Sequence, residues 1–198
     1  MANLRSVQKA FERLGHVAQI VSTPEQVRAA DRLVVPGVGA FQDAMRVLNA
    51  TGLAGAIKEF AASGKPMLGI CLGLQLFAEI SEEDGVHQGL GLVAGKVVRF
   101  AVDRSPYNLK VPQMGWNALQ IVPNSALFKG LPADPYVYFV HSYHLVPADS
   151  GVIAATADYG LPFVAAITRG NIFATQFHPE KSQQVGAAIL RNFAELEL

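Results

Sequence analysis

Pro66-Met67-Leu68-Gly69-Ile70-Cys71-Leu72-Gly73-Leu74-Gln75 runs from an apolar, strand-like segment into a cysteine with a glycine two positions away on either side. That is the G-x-nucleophile-x-G spacing of a strand-to-helix elbow, with cysteine where related hydrolases place serine. Glycine at both flanks lets so sharp a turn close without Cβ clashes, and the thiol at its tip is then expected to stand exposed above the sheet edge. A helix starting at Leu72 would aim its free N–H groups and positive dipole end at the sulfur, which favours the reactive thiolate. A lone cysteine is otherwise often a buried core residue. The paired glycines tip the reading toward a nucleophile.

Upstream of the elbow, helices and strands alternate. Asn3 is placed to cap a helix whose apolar residues Leu4, Val7, Phe11 and Leu14 recur at helical spacing, with Gly15 as its stop. His16 to Val21 reads as a strand, and Thr23-Pro24-Glu25-Gln26 as a helix start with a capping box. Arg32 to Pro36 gives a short buried strand that ends in the turn Pro36-Gly37-Val38-Gly39. Helices are expected from Ala40 to Leu48 and from Leu53 to Ser63, and Pro66 to Ile70 is the strand that delivers Cys71. This order is the signature of a parallel sheet covered by helices.

Downstream the character changes. The elbow helix is expected to end near Ile80, and Glu82-Glu83-Asp84 reads as a solvated turn. Leu90 to Ala101, Lys110 to Pro112, Ala118 to Val122 and Tyr136 to Val146 alternate more clearly, as antiparallel strands do. A short helix falls within Asn124 to Leu131. Strands follow at Val152 to Ala157, Pro162 to Thr168 and Ile172 to Phe177, before a closing amphipathic helix from Ser182 to Leu196. The fold class expected is α/β: a mostly parallel, doubly wound sheet with helices on both faces, plus antiparallel strands in the second half.

The totals bound the function. The 198 residues fit one domain, 51% apolar and only 16% charged, against about 25% charged in an average soluble protein. So little charge suits a chain that covers part of its surface with a partner. Sixteen basic and sixteen acidic residues cancel, which leaves no electrostatic footprint for nucleic acid or an anionic membrane. No apolar run approaches the ~18 residues of a membrane span. One cysteine allows no internal disulfide, so a soluble protein of a reducing, cytoplasmic compartment is expected.

A cysteine nucleophile needs a base. Of the five histidines, His178 follows a predicted strand end, where open α/β sheets collect active-site groups. Glu180, two residues on, can orient the imidazole, giving a Cys71-His178-Glu180 triad. His141 and His144, three apart on one predicted strand, would face opposite sides of the sheet and make poor joint metal ligands; no metal or other cofactor is expected. Gly89-Leu90-Gly91 lacks the third glycine of a dinucleotide fingerprint and reads as a strand-entry turn. The turn Pro36-Gly37-Val38-Gly39 directly follows a parallel strand. It is either a tight loop or a second oxyanion donor beside the N–H of Leu72, through Val38 or Gly39.

Taken together, the motifs resemble those of the class I glutamine amidotransferases, and within them the glutaminase subunits of imidazole glycerol phosphate synthases. The segments that carry the resemblance are Asn3-Leu4-Arg5-Ser6-Val7, Pro36-Gly37-Val38-Gly39-Ala40-Phe41, Gly69 to Gln75, Met114-Gly115-Trp116-Asn117, His141-Ser142-Tyr143-His144 and Phe177-His178-Pro179-Glu180-Lys181-Ser182. The resemblance implies glutamine hydrolysis through a thioester on Cys71, with His178 as acid and base and Glu180 holding the ring. It implies glutamine binding by Gly37, Gln75 and the Ser142-Tyr143 backbone, and a mobile oxyanion strand at Gly37 and Val38. It also implies ammonia transfer to a (β/α)8-barrel cyclase docked on Asn3, Arg5, Trp116, Asn117 and Lys181. A stand-alone cysteine hydrolase of related fold and a docking subunit without turnover share some of these residues. Members of the family carry an apolar strand ahead of Asn-Leu-Arg-Ser, whereas only Met1 and Ala2 precede Asn3 here. The sheet is therefore expected to lack that strand, with a gap beside the strand ending at Pro36 or closure by shifted strands.

Overall fold

The computed structural model describes residues 4–104 and 108–197; Asn3, as helix cap and as docking residue, falls outside them. Helix α1 (Leu4–Arg13) turns Val7 and Phe11 inward and is followed by Gly15 at φ 86°. Helix α2 (Pro24–Ala29) has the capping box read from its sequence: Thr23 accepts from the Gln26 N–H, and the Gln26 side chain accepts from the Thr23 N–H. Next come β1 (Leu33–Gly37), α3 (Phe41–Ala50), α4 (Leu53–Ala62), β2 (Met67–Cys71) and α5 (Leu72–Leu76). Strands β3 (Ala78–Ser81), β4 (His87–Gln88), β5 (Val93–Arg99), β6 (Gln113–Ala118), β7 (Gln120–Ile121), β8 (Tyr136–His141), β9 (Tyr143–Pro147), β10 (Ile153–Asp158), β11 (Pro162–Arg169) and β12 (Ile172–Thr175) follow. Helix α6 (Gln183–Ala194) closes the chain.

A six-stranded sheet runs in the order β1-β2-β12-β11-β10-β7, with parallel pairing from β1 through β2 to β12 and antiparallel pairing beyond. All five residues of β2 are buried, as expected for a strand covered on both faces. Its side chains alternate between two cores. Met67 joins the layer made with α2, α3 and α4, while Leu68 and Ile70 join the layer that holds Val7 and Phe11 of α1 and Ile189, Leu190 and Phe193 of α6. A second sheet, β4-β3-β5-β9, is antiparallel except for the parallel β3–β5 pair, and the antiparallel pair β6-β8 completes the second half of the chain.

Four segments depart from the sequence reading. His16 to Val21 forms no strand. It is tethered by the Gln8 Nε2 bond to the Ala18 carbonyl (2.8 Å) and the His16 N–H bond to Phe11 (3.1 Å), and Val17 is fully exposed. β1 is an edge strand, and a cavity of about 640 Å³ lined by both segments separates its open side from residues 16–21. A strand forms only where a neighbour can take its N–H and C=O groups, and among the described residues no strand lies beside this segment.

The elbow helix stops at Leu76 rather than near Ile80. The following residues pair instead: the Leu90 N–H bonds Leu76, that of Leu92 bonds Phe77, and Ala78 to Ser81 join β5 and β4. Lys110 to Pro112 is not a strand; the ladder begins at Gln113, beyond a proline that has no N–H to offer. Tyr136 to Val146 is two strands broken at Ser142, because β8 pairs with β6 and β9 pairs with β5 in a different sheet.

Candidate active site

Cys71 is the last residue of β2 and precedes the first turn of α5, at φ 56° and ψ −107°. A non-glycine residue held at positive φ stores strain and is characteristic of a nucleophile elbow. The flanking glycines are there for space. A Cβ on Gly73 would stand 1.8 Å from the Val35 carbonyl oxygen, and one on Gly69 would stand 2.7 Å from the Phe77 ring. Where the sequence led to an exposed thiol, the structure has it close to buried, at 7% exposure, because β8 lies over the elbow and its Val140 carbonyl contacts the sulfur at 4.0 Å.

His178 arrives beside it from the end of β12. Its N–H donates to the Tyr138 carbonyl of β8 (3.0 Å), and its carbonyl accepts from the Ser182 hydroxyl (2.7 Å). Ser182 Oγ in turn accepts from the Tyr138 N–H (3.0 Å), so one buried serine stitches the turn to β8. The sequence suggested only a helix start at Ser182. The His178 Nδ1–H donates to Glu180 Oε1 at 2.8 Å, both side chains being buried, and Cys71 is near enough to the ring to raise its pKa. With Nδ1 committed to Glu180, Nε2 is the nitrogen left for the thiol. Cys71, His178 and Glu180 therefore meet as read from the sequence.

The same contacts set the charge. Burial presses the His178 pKa down, but the bonds to Cys71 and Glu180 and their negative charge outweigh it and push it up to about 9 from an ordinary 6.5. The imidazolium thus persists through neutral pH. Its contribution to stability is complete below pH 6.5 and is lost as pH rises through about 9. An NMR titration of the His178 ring is expected to show a midpoint near 9, moving to lower pH in Glu180→Gln. An unshifted midpoint in that variant would mean that Glu180 does not hold the charge.

The residues read as oxyanion and substrate groups gather around this centre. Gly37 pairs with Cys71 in the β1–β2 ladder; Val38, 38% exposed, and Gly39 follow it toward α3. Ala40 offers α3 no side-chain cap, and Glu83 supplies one from across the fold: its Oε2 accepts the Phe41 N–H at 3.0 Å. Glu83, read as part of a solvated turn, thus anchors the far end of the Gly37–Ala40 loop, while Glu82 pairs with Lys96. Leu72 is buried at the start of α5. Gln75 is buried, and its Nε2 donates to the Tyr143 carbonyl (3.0 Å) and to Gln176 Oε1 (3.3 Å). Ser142 sits at the break between β8 and β9. Gln176 was not singled out by sequence, although a glutamine amid Ile172-Phe173-Ala174-Thr175 and Phe177 is a polar residue in a buried strand.

The two histidines near this break are also repositioned. The break at Ser142 brings His141 and His144 to the same side, both rings packing on Phe100 at centroid distances of 5.0 and 4.7 Å. The expectation of opposite faces assumed one continuous strand. Burial foremost, then the nearby His144 and His178, drives the His141 pKa down to about 3, although the His141 Nδ1–H bond to the Tyr143 carbonyl (2.8 Å) works the other way. Among the described residues no group of three His, Cys, Asp or Glu side chains is placed to hold a metal ion.

The sequence model of the class-I glutamine amidotransferases matches residues 2–196. The chain belongs to that family. Two relatives among many are the imidazole glycerol phosphate synthase subunit HisH of Syntrophotalea carbinolica, 54% identical over 99% of this chain and 96% of its own length, and that of Moorella thermoacetica, 49% identical over 99% and 91%. Among solved structures, a glutamine amidotransferase superposes with TM-score 0.74 at 21% identity, covering 96% of this chain and 92% of its own. PurLQS from Thermotoga maritima superposes at 0.76 and 18%, covering 97% and 92%. At those identities the superpositions speak for the fold alone.

On this amidotransferase the residues read as a docking surface divide. Arg5 is exposed on α1. Trp116, 44% exposed, stands edge-on to the Tyr138 ring at 5.8 Å, and Lys181 Nζ lies 5.9 Å over the same ring. Met114, 65% exposed, and Tyr136 extend this apolar face of β6 and β8. Asn117 points the other way: its Nδ2 donates to the Asp158 carbonyl (2.8 Å) and its Oδ1 accepts from Gln113 (2.7 Å). No helix among the described residues is long and apolar enough to cross a membrane.

Proposed function

We propose that this chain, folded as one amidotransferase domain, is the glutaminase subunit of an imidazole glycerol phosphate synthase and releases ammonia from glutamine for a cyclase subunit in histidine biosynthesis. The observation that carries this reading is the strained Cys71 elbow facing an imidazolium held by Glu180, in a chain about half identical, over nearly its full length, to such subunits. The Cys71 thiolate attacks the side-chain amide carbon of glutamine. The resulting oxyanion is held by the Leu72 N–H and one from Val38 or Gly39. Collapse expels ammonia, to which His178 gives its proton. The neutral ring then takes a proton from the water that opens the thioester, and glutamate leaves. Gln75, Gly37 and the Ser142-Tyr143 backbone hold the substrate.

The acceptor subunit is a (β/α)8 barrel that uses the ammonia to convert a phosphoribulosyl aminoimidazole nucleotide into imidazole glycerol phosphate and an aminoimidazole carboxamide ribonucleotide. It docks on the face of Trp116, Tyr138 and Lys181 and on Arg5 of α1. This face shares β8 with the site, since the Val140 carbonyl contacts Cys71 and the Tyr138 carbonyl holds His178. Docking can thereby be felt at the nucleophile. The isolated chain is expected to be a poor glutaminase until the liganded cyclase turns the Val38 peptide inward, since one missing oxyanion donor costs about 10²–10³ in rate. Glutamate release, measured with and without cyclase and its nucleotide ligand, should rise by about that factor. Equal turnover in all arms would favour a stand-alone hydrolase, and failure to bind the cyclase would remove the reading.

A further inference from the structure

Gln176 is fully buried, and its backbone N–H is fixed to the Ala165 carbonyl (2.8 Å). Its side chain bridges the two groups the reaction needs most: Nε2 donates to Cys71 Sγ at 3.8 Å, and Oε1 accepts from Gln75 Nε2 at 3.3 Å. An amide can be turned either way, but here its direction is dictated. Gln75 presents NH₂ hydrogens to both the Tyr143 carbonyl and Gln176, so the oxygen of Gln176 must face Gln75 and its NH₂ must face the sulfur. The Tyr143 carbonyl also accepts from the His141 Nδ1–H, and because a carbonyl can only accept, that end of the chain has a fixed polarity. The order His141, Tyr143 carbonyl, Gln75, Gln176, Cys71 thus ends in a neutral N–H aimed at the nucleophile.

We infer that Gln176 is a further catalytic residue, whose amide N–H holds the Cys71 thiolate while Gln75 sets the direction of that amide. The inference rests on the reading of Cys71 as the nucleophile. A thiolate in a buried site needs more than one partner. His178 supplies a charge that it must surrender when ammonia leaves, whereas Gln176 carries no proton to lose, so its N–H stays in place through both half-reactions. A hydrogen bond to a charged acceptor is about twice as strong as a neutral one, so the contact strengthens as the thiol ionises. It also ties the nucleophile to a substrate-binding side chain: glutamine that engages Gln75 acts on the amide that holds the sulfur.

The test is the rate of Cys71 alkylation by iodoacetamide against pH in the full chain, alongside glutamate release with the cyclase. In Gln176→Leu, alkylation at neutral pH should slow about tenfold and the inflection of its pH profile should move up, with a similar loss in kcat/KM. Gln176→Glu, nearly the same shape, should move the inflection further, because a carboxylate repels the thiolate. Gln75→Met should shift it in the same direction by less, and this readout does not depend on glutamine binding. Thermal melts identify the variants that remain folded, and any one of the three suffices. A folded variant with the unsubstituted protein's alkylation profile overturns the role of Gln176. If, instead, the unsubstituted chain alkylated at Cys71 still hydrolyses glutamine, it is the nucleophile assignment that has failed.

Discussion

Cys71→Ala should abolish glutamate release while leaving binding to the cyclase nearly unchanged. The drop should be at least about 10⁴ in kcat, because covalent catalysis has no substitute for its nucleophile and removing one member of such a triad costs about as much as removing all. The structure separates the two readouts. Cys71 is close to buried, whereas Trp116, Met114 and Tyr136 form the exposed face of β6 and β8. His178→Asn should match it, and the double variant should be no worse than either single one. Glu180→Gln should lose less, since the turn around His178 is also pinned by Ser182 and Tyr138. Steady-state assays with calorimetric titration of the cyclase decide the matter; glutamate production surviving in purified Cys71→Ala would sink the assignment.

Gly73→Ala should have the largest structural effect of any single methyl added to this chain's elbow. The new Cβ would stand 1.8 Å from the Val35 oxygen and 3.0 Å from its carbon, and neither atom can swing aside as a side-chain tip could. β1 would have to leave its register with β2, which is the register that sets Gly37 beside Cys71. A loss above about 4 kcal/mol is expected, a large part of a typical net stability of about 5–15 kcal/mol. Gly55→Ala in α4 is the control, with nothing within 4 Å of the added Cβ, and should stabilise by about 0.5–1 kcal/mol. Urea melts of the pair test this directly. A Gly73→Ala protein that melts with the parent would mean that the approach of α5 to β1 is not tight.

What could be read from the sequence was what local chemistry dictates. Gly69 and Gly73 leave the room that a tight elbow at Cys71 needs, and Thr23-Pro24-Glu25-Gln26 carries its own cap. His178 and Glu180 are neighbours in the chain, so their contact needed no long-range guess. The rest is decided by partners that the sequence does not name. Residues 16–21 have strand-like composition but, among the described residues, no strand beside them. Tyr136 to Val146 looks continuous until its halves pair with different sheets, and that break at Ser142 reverses the side on which His144 falls. Glu83 reaches the end of α3 and Gln176 reaches Cys71 through the fold alone, and neither contact leaves a periodic trace.

The open side of β1 bears on how copies of this chain behave in a crowded solution. In a parallel ladder alternate residues turn their backbone groups to one neighbour. Leu33 bonds toward β2 through Pro66 and Val35 and Gly37 follow it, so Val34 and Pro36 face outward. Proline has no N–H, which leaves Val34 as the only outward amide donor within this five-residue strand. Exposed strands are templates for edge-to-edge association, and proline on the edge is one of the devices that blunt it. A stray strand approaching β1 would find two carbonyls and a single N–H, too sparse a row to continue a sheet from one molecule into the next.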